Sequence, residues 1–220
     1  MKTQLIAVLA GGLLYAPLTS IAANAAAPTP EQISVFKAPL VCPAAPQIGC
    51  GSASKPILLD LERQPGVLEA WLNRAGTRIA VVWKPESDAS TRRKVVAELK
   101  EDHAIELDGK PRDEAVNDFL SGKGWYRGAD VDRLSEEEAD VIAARLVGRV
   151  QAKTALAKDN AEGLQRALAD AYRQRLTNKI SREQELSRFQ DIGREYLEKD
   201  QMPILQGAID GGVLPLAGEK

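Results

Sequence analysis

Residues 65–85 read PGVLEAWLNRAGTRIAVVWKP, and the architecture turns on them. Pro65-Gly66 stops whatever helix precedes. Val67 to Arg74 alternates loosely between apolar and polar residues, as a strand does. Ala75-Gly76 supplies a tight turn. Thr77 to Trp83 concentrates β-branched residues and is the most strand-like stretch of the chain. Lys84-Pro85 breaks it. Two such runs joined by a short turn predict a hairpin.

Working outward, Ile57, Leu58 and Leu61 predict an apolar face on a short helix, about 55–64, with Pro56 tolerated in its first turn and Ser54 as its N-cap. Before it lies a loop holding both cysteines, and before that Gln32 to Val41 (QISVFKAPLV) reads as a strand. Downstream, Asp88 to Asp102 reads as a helix with Val95, Val96 and Leu99 on one face. Ala104 to Leu107 makes a last short strand, closed by Asp108-Gly109. The order is β-α-β-β-α-β, the split unit of ferredoxin-like domains.

Composition changes near residue 110, where Ala, Glu, Arg, Gln and Leu begin to recur at helical spacing. The expectation is an α+β fold: a ferredoxin-like βαββαβ module over 26–110, then a helical region of three or four amphipathic helices over 111–205. Arg112 to Leu120 predicts a short helix, followed by the glycine-punctuated SGKGWYRGADVDRL. Ser135 and Glu138 form a capping box opening a helix striped by Ile142, Leu146 and Val150. Leu164, Leu168, Tyr172 and Leu176 stripe the next helix. Ser181 and Gln184 form a second capping box, before a helix lined by Leu186, Phe189, Ile192 and Leu197. Residues 206–220, rich in Gly, Pro and Leu, read as a flexible tail.

The chain opens with Lys2, an apolar run from Leu5 to Leu18, and Ala23-Asn24-Ala25. This is the layout of a secretory signal peptide; the run is short of the ~20 residues that a span needs. Residues 1–25 are therefore read as a cleaved signal, with cleavage near Ala25 and a periplasmic or secreted bacterial mature protein. No other segment predicts a membrane span. The formal charge of −2, with acids and bases interspersed, does not suggest a nucleic-acid partner, which calls for a basic surface.

Both cysteines lie in residues 41–56, VCPAAPQIGCGSASKP. Cys42 and Cys50 are open to three readings: a disulfide, as an exported chain with two nearby cysteines often forms; a two-thiolate soft-metal site, favoured by a position at a helix start, where thiol pKa values fall; or a redox-active dithiol, although C-x7-C is not the thioredoxin-type C-x-x-C spacing. Trp125-Tyr126-Arg127, between glycines, are candidates for a partner-binding surface or for pinning the connector onto the α+β module. The chain has one histidine, His103, and no nucleophile elbow. No catalytic constellation emerges and an enzyme is not expected.

Over about residues 37–108 the chain resembles the heavy-metal-associated (copper-chaperone-like) domain family. The resemblance is carried by a cysteine loop between first strand and first helix, by ILLDLERQPGVLEAWLN (57–73), and by the βαββαβ order. In that family a helix ending in Gly-Val leads into the second strand, as Gly66-Val67 does here, and a C-x-x-C loop binds a soft metal. Counted back from Gly66-Val67, Cys50 takes the place of the first family cysteine. The second place is Ala53, which cannot ligate, and the other thiol, Cys42, is eight residues upstream of Cys50. With the signal-like N-terminus and no catalytic constellation, the reading is an exported, non-enzymatic binding or accessory protein, for which the resemblance implies handling of copper, as Cu(I), or mercury through Cys42 and Cys50. The alternative is a disulfide-clipped structural or assembly protein whose helices bind a protein partner or self-associate.

Overall fold

A computed structural model of the chain describes residues 27–108, 112–177 and 179–219. The segment read as a signal peptide, and Gly109 of the predicted turn, lie outside the described residues. Among the described residues the fold is mixed α and β, with seven α-helices and a five-stranded antiparallel sheet. The order is β1 (Ile33–Lys37), α1 (Gly51–Arg63), β2 (Val67–Asn73), β3 (Arg78–Trp83), α2 (Ala89–His103), β4 (Glu106–Leu107), α3 (Arg112–Leu120), β5 (Trp125–Arg127), α4 (Asp132–Gln151), α5 (Lys158–Leu176), α6 (Arg182–Tyr196) and α7 (Met202–Asp210). The strands lie side by side as β4-β1-β3-β2-β5.

Strand parity decides which residues go to which face. Phe36, Ile79, Val81 and Trp83 pack against Leu58 and Leu61 of α1 and Val95 and Leu99 of α2. On the opposite face, Ile33, Val35, Ala80 and Val82 meet Ala115, Val116 and Phe119 of α3. With both faces covered, β3 reads as the unbroken apolar run IAVVW (79–83) rather than as an alternation. The looser pattern of β2 has a cause as well. Its pairing slips between Val67 and Glu69, so Leu68 is bulged out and exposed, and Val67, Ala70 and Leu72 share one face.

The helical stripes close on one another. Ile142, Leu146 and Val150 of α4, Leu164, Leu168, Tyr172 and Leu176 of α5, and Phe189 of α6 form one core. Cys42, Ala44, Ala45 and Ile48 of the cysteine loop are buried in that same core. The helices therefore cover the cysteine loop, and the apolar stripes offered above to a partner are occupied within the chain.

The first strand is shorter than read, ending at Lys37 rather than Val41, and among the described residues five helices rather than three or four follow residue 110. Four further elements depart from the sequence reading. The helix α1 begins at Gly51, four residues before the expected start, so Pro56 lies in its second turn and Cys50 replaces Ser54 as N-cap. The helix α4 begins at Asp132, behind a 3-10 turn over Gly128–Val131, so Ser135 and Glu138 lie inside the helix and do not cap it. Trp125 to Arg127 form a fifth strand at the β2 edge. The stretch read as a tail begins within α7, and its continuation is gripped by two buried arginines. Arg149 donates to the carbonyls of Gly212 and Leu214 and to the Glu219 carboxylate, and Arg145 to the Val213 carbonyl. No helix of the described residues is long and apolar enough to cross a membrane.

Candidate functional site

The seven residues between the cysteines fold back on themselves. Val41 and Gly49 form an antiparallel bridge. Cys42 N–H donates to the Ile48 carbonyl at 2.8 Å, and Cys50 N–H to the Leu40 carbonyl at 2.7 Å. Cys42 and Cys50 thus flank the bridge as diagonal neighbours, a position from which side chains on the same face reach each other. The C-x7-C spacing is closed by backbone pairing. Both residues are free thiols in this structure; Cys42 is buried, at 1 % exposure, and Cys50 is half-buried.

The two glycines around Cys50 set its position. A Cβ on Gly49 would lie 2.9 Å from Gly76 Cα in the β2–β3 turn, where φ is +70°. A Cβ on Gly51 would lie 2.3 Å from the Val131 carbonyl oxygen and 2.5 Å from Ser135 Oγ. Cys50 is held between the hairpin on one side and the start of α4 on the other. The Lys55–Asp132 ion pair, at 2.7 Å, and the Arg74–Glu137 pair add polar ties between the sheet layer and α4.

At the N-cap of α1, Cys50 Sγ sits 3.4 Å from Ser52 Oγ. The N–H groups of Ala53 and Ser52 face the sulfur without forming the close capping bond that a Ser or Asp side chain makes there. The Ser54 hydroxyl turns back to the Cys50 carbonyl at 2.6 Å. A hydrogen bond from the Cys42 thiol, then the Ser52 hydroxyl and the helix N–H groups, lower the Cys50 thiol to about 5, against the opposing effect of burial. The balance favours the thiolate at Cys50 over that at Cys42. The partner thiol moves the other way. Its hydrogen bond to the Cys50 thiolate, its burial and the nearby Glu138 charge push Cys42 up, so that it stays protonated.

The third member is Glu138 of α4. It is buried, at 6 % exposure, and reaches the Cys42 thiol. Burial, and then the Cys50 charge, push its carboxyl above the usual carboxylate range; the Cys42 thiol and Arg175 pull it back. Its Oε2 is buried with no hydrogen-bond partner, a costly arrangement for a carboxylate. Arg175 faces it from α5 and is itself held by fully buried Glu185 of α6, with Nε 3.1 Å from Oε1; Arg182 is the second cation on Glu185.

The structure brings the predicted pair Cys42 and Cys50 together and places the other singled-out residues elsewhere. Trp125 is buried, edge-on to Phe119 with ring centroids 5.2 Å apart, and Arg127 pairs with Glu62 at 2.7 Å and Glu69 at 2.9 Å. Tyr126 packs on the core under the sheet. These contacts tie the connector to the α+β layer, with Trp125 buried and Tyr126 and Arg127 half-buried. His103 lies in the last turn of α2, lining the cleft between α1 and α2. The donor set does not reproduce the two-thiol loop of the heavy-metal-associated family. Ala53 stands where the second thiol would be, Cys42 is buried under α4, and among the described residues no group of three or more His, Cys, Asp or Glu is placed to hold a metal ion.

Glu138 was missed because it doubles as a capping-box carboxylate in the sequence. Its signal lay in the stripe. Counting back in fours from Val150, Leu146 and Ile142 passes through Glu138 and reaches Leu134, so a carboxylate sits on the buried line of α4. No protein-family model, curated protein or solved structure matches this chain.

Proposed function

We propose that this chain is an exported, thiol-based accessory protein whose centre is the Cys42–Cys50 pair, working as a reversible dithiol–disulfide couple. The observation that carries the reading is the asymmetry of the pair: a half-exposed, low-pKa Cys50 at a helix N-terminus backed by a buried, protonated Cys42. An accessible thiolate attacks a disulfide, and an adjacent thiol resolves the product. In the first step Cys50 S⁻ attacks a substrate disulfide RS–SR′; the S–S bond breaks, R′S⁻ leaves with the electron pair, and Cys50–S–S–R forms. In the second, Cys42 gives up its proton and attacks Cys50 Sγ, releasing RS⁻ and leaving the Cys42–Cys50 disulfide. The substrate is reduced by two electrons and the pair oxidised by two. The disulfide and dithiol readings of the sequence are the two states of this couple.

The signal-like N-terminus supports an oxidising compartment. The strand order β4-β1-β3-β2, with α1 and α2 on one face, supports a ferredoxin-like arrangement akin to heavy-metal-associated domains. The soft-metal reading draws on the same thiols but has one accessible sulfur to work with. The test is equilibration of the purified protein in buffers of varied glutathione to glutathione-disulfide ratio, with acid quenching and thiol counting. The reading expects a single two-electron transition between two free thiols and none. Thiols that stay free at every ratio and are instead saturated by one equivalent of Cu(I) would overturn it in favour of metal handling.

A further inference from the structure

We propose that Glu138 is the proton acceptor for Cys42, taking the thiol proton as Cys42 turns on the Cys50 mixed disulfide and returning it when the pair is reduced. The inference rests on the dithiol reading of the site. Cys42 is buried beneath α4 and cannot hand its proton directly to bulk water. Among the described residues, the carboxylate at its thiol is Glu138, whose Oε2 is buried without a partner. An unsatisfied buried carboxylate is expensive, and a nine-tenths buried one aimed at a thiol that must deprotonate is a placement that function explains. Nothing in the packing of α4 requires it, since Leu134 and Ile142 hold the apolar line on either side.

The surroundings suit an acceptor. The groups facing Glu138 are Cys42 from the loop, Cys50 from the start of α1, and Arg175 from α5, the last tied to Glu185 of α6. In the dithiol state the Cys50 thiolate raises the carboxyl. Once Cys50 is bound in a mixed disulfide that charge is gone, and the Glu138 carboxyl falls back toward its usual range beside a protonated Cys42. The proton passes from Cys42 Sγ to the Glu138 carboxylate, Cys42 S⁻ attacks Cys50 Sγ, and the leaving RS⁻ carries off the electron pair. Arg175 acts as a positioning residue through its charge.

The experiment uses the full mature chain, reduced and mixed with the aryl disulfide 5,5′-dithiobis(2-nitrobenzoate) in a stopped-flow instrument. Attack by Cys50 releases one thionitrobenzoate; resolution by Cys42 releases the second. In E138Q the first phase should still release one full equivalent, which reports an intact Cys50, and the second should slow by on the order of a hundredfold. In the unmodified protein the second phase should rise with the ionisation of a carboxyl and then level off. A second phase in E138Q within twofold of the parent at every pH would overturn the role of Glu138 while leaving the dithiol reading in place. So would a parent second phase that climbs tenfold per pH unit from 5 to 9, a result needing no variant. A parent protein that releases one equivalent and stops would remove the dithiol reading itself.

Discussion

Replacing Gly51 by alanine probes the joint between the α+β layer and the helices. At the first position of α1, alanine favours the helix over glycine by about 0.5–1 kcal/mol. The packing opposes this. The new Cβ would sit 2.3 Å from the Val131 carbonyl oxygen, 2.5 Å from Ser135 Oγ and 3.0 Å from Ser135 N. Two of these neighbours are backbone, which cannot swing away, so α1 or the start of α4 must shift. Overpacking of this kind costs about 1–3 kcal/mol, toward the upper end where backbone is the obstacle. The net loss is about 2 kcal/mol, and for a chain of this length the Tm should fall by about 4–8 °C. Gly148, in the middle of α4 with nothing within 4 Å of a Cβ, is the control. G148A should gain about 0.5–1 kcal/mol and raise the Tm by a few degrees. Both are read by thermal melts followed by circular dichroism. A G51A protein as stable as the parent, or more so, would refute the close approach of α4 to α1 and with it the covering of the cysteine loop.

Iodoacetamide should alkylate Cys50 of the reduced protein at a rate that rises through a midpoint near pH 5 and is flat above it, because the reactive form is the thiolate; a rate still climbing at pH 8 would contradict the depressed pKa. C42A should move that midpoint upward, since the Cys42 thiol is the largest influence lowering Cys50, and an unmoved midpoint would mean that the two sulfurs do not interact. E138Q should raise the Tm, increasingly so as pH rises: the folded-state carboxyl is pushed up, so its contribution to stability is present below the unfolded value near 4.3 and lost as pH rises through the folded one. Melts at pH 4 and pH 8 check this, and an equal effect at both would contradict it. Glu219 is held at about 2, first by the Arg149 guanidinium. Its contribution is present above about pH 4 and lost as pH falls toward 2, so E219Q should flatten that part of the acid-side stability curve, and an unchanged curve would show that the C-terminal residues do not dock on Arg149.

The hairpin at 65–85 was legible because its turn and breaker residues are local. The helix α2 was legible because Val95, Val96 and Leu99 recur at helical spacing, and β1 was legible in part, as Ile33–Lys37 within the strand read over Gln32–Val41. Less visible were features that depend on contact across the chain. The helix α1 was expected to start at Lys55 because Pro56 suits a first turn; the structure starts it at Gly51, where glycine is needed against α4. Ser135 and Glu138 have the spacing of a capping box, but a 3-10 turn ahead of them moves the helix start back to Asp132. Trp125 to Arg127 sit among glycines and look like a connector, yet β2 offers them an open edge. The thiol pair was the legible part of the site. The carboxylate beneath it was hidden by its second, equally good local explanation.

If Cys42 resolves what Cys50 captures, one equivalent of glutathione disulfide added to the reduced protein should leave a disulfide within the chain, read by acid quenching and intact-mass measurement. The expected product is lighter than the dithiol by two hydrogens, with no lasting glutathione adduct, whereas in C42S the adduct persists. A stable glutathione adduct on the unmodified protein, or an unchanged mass, would contradict it.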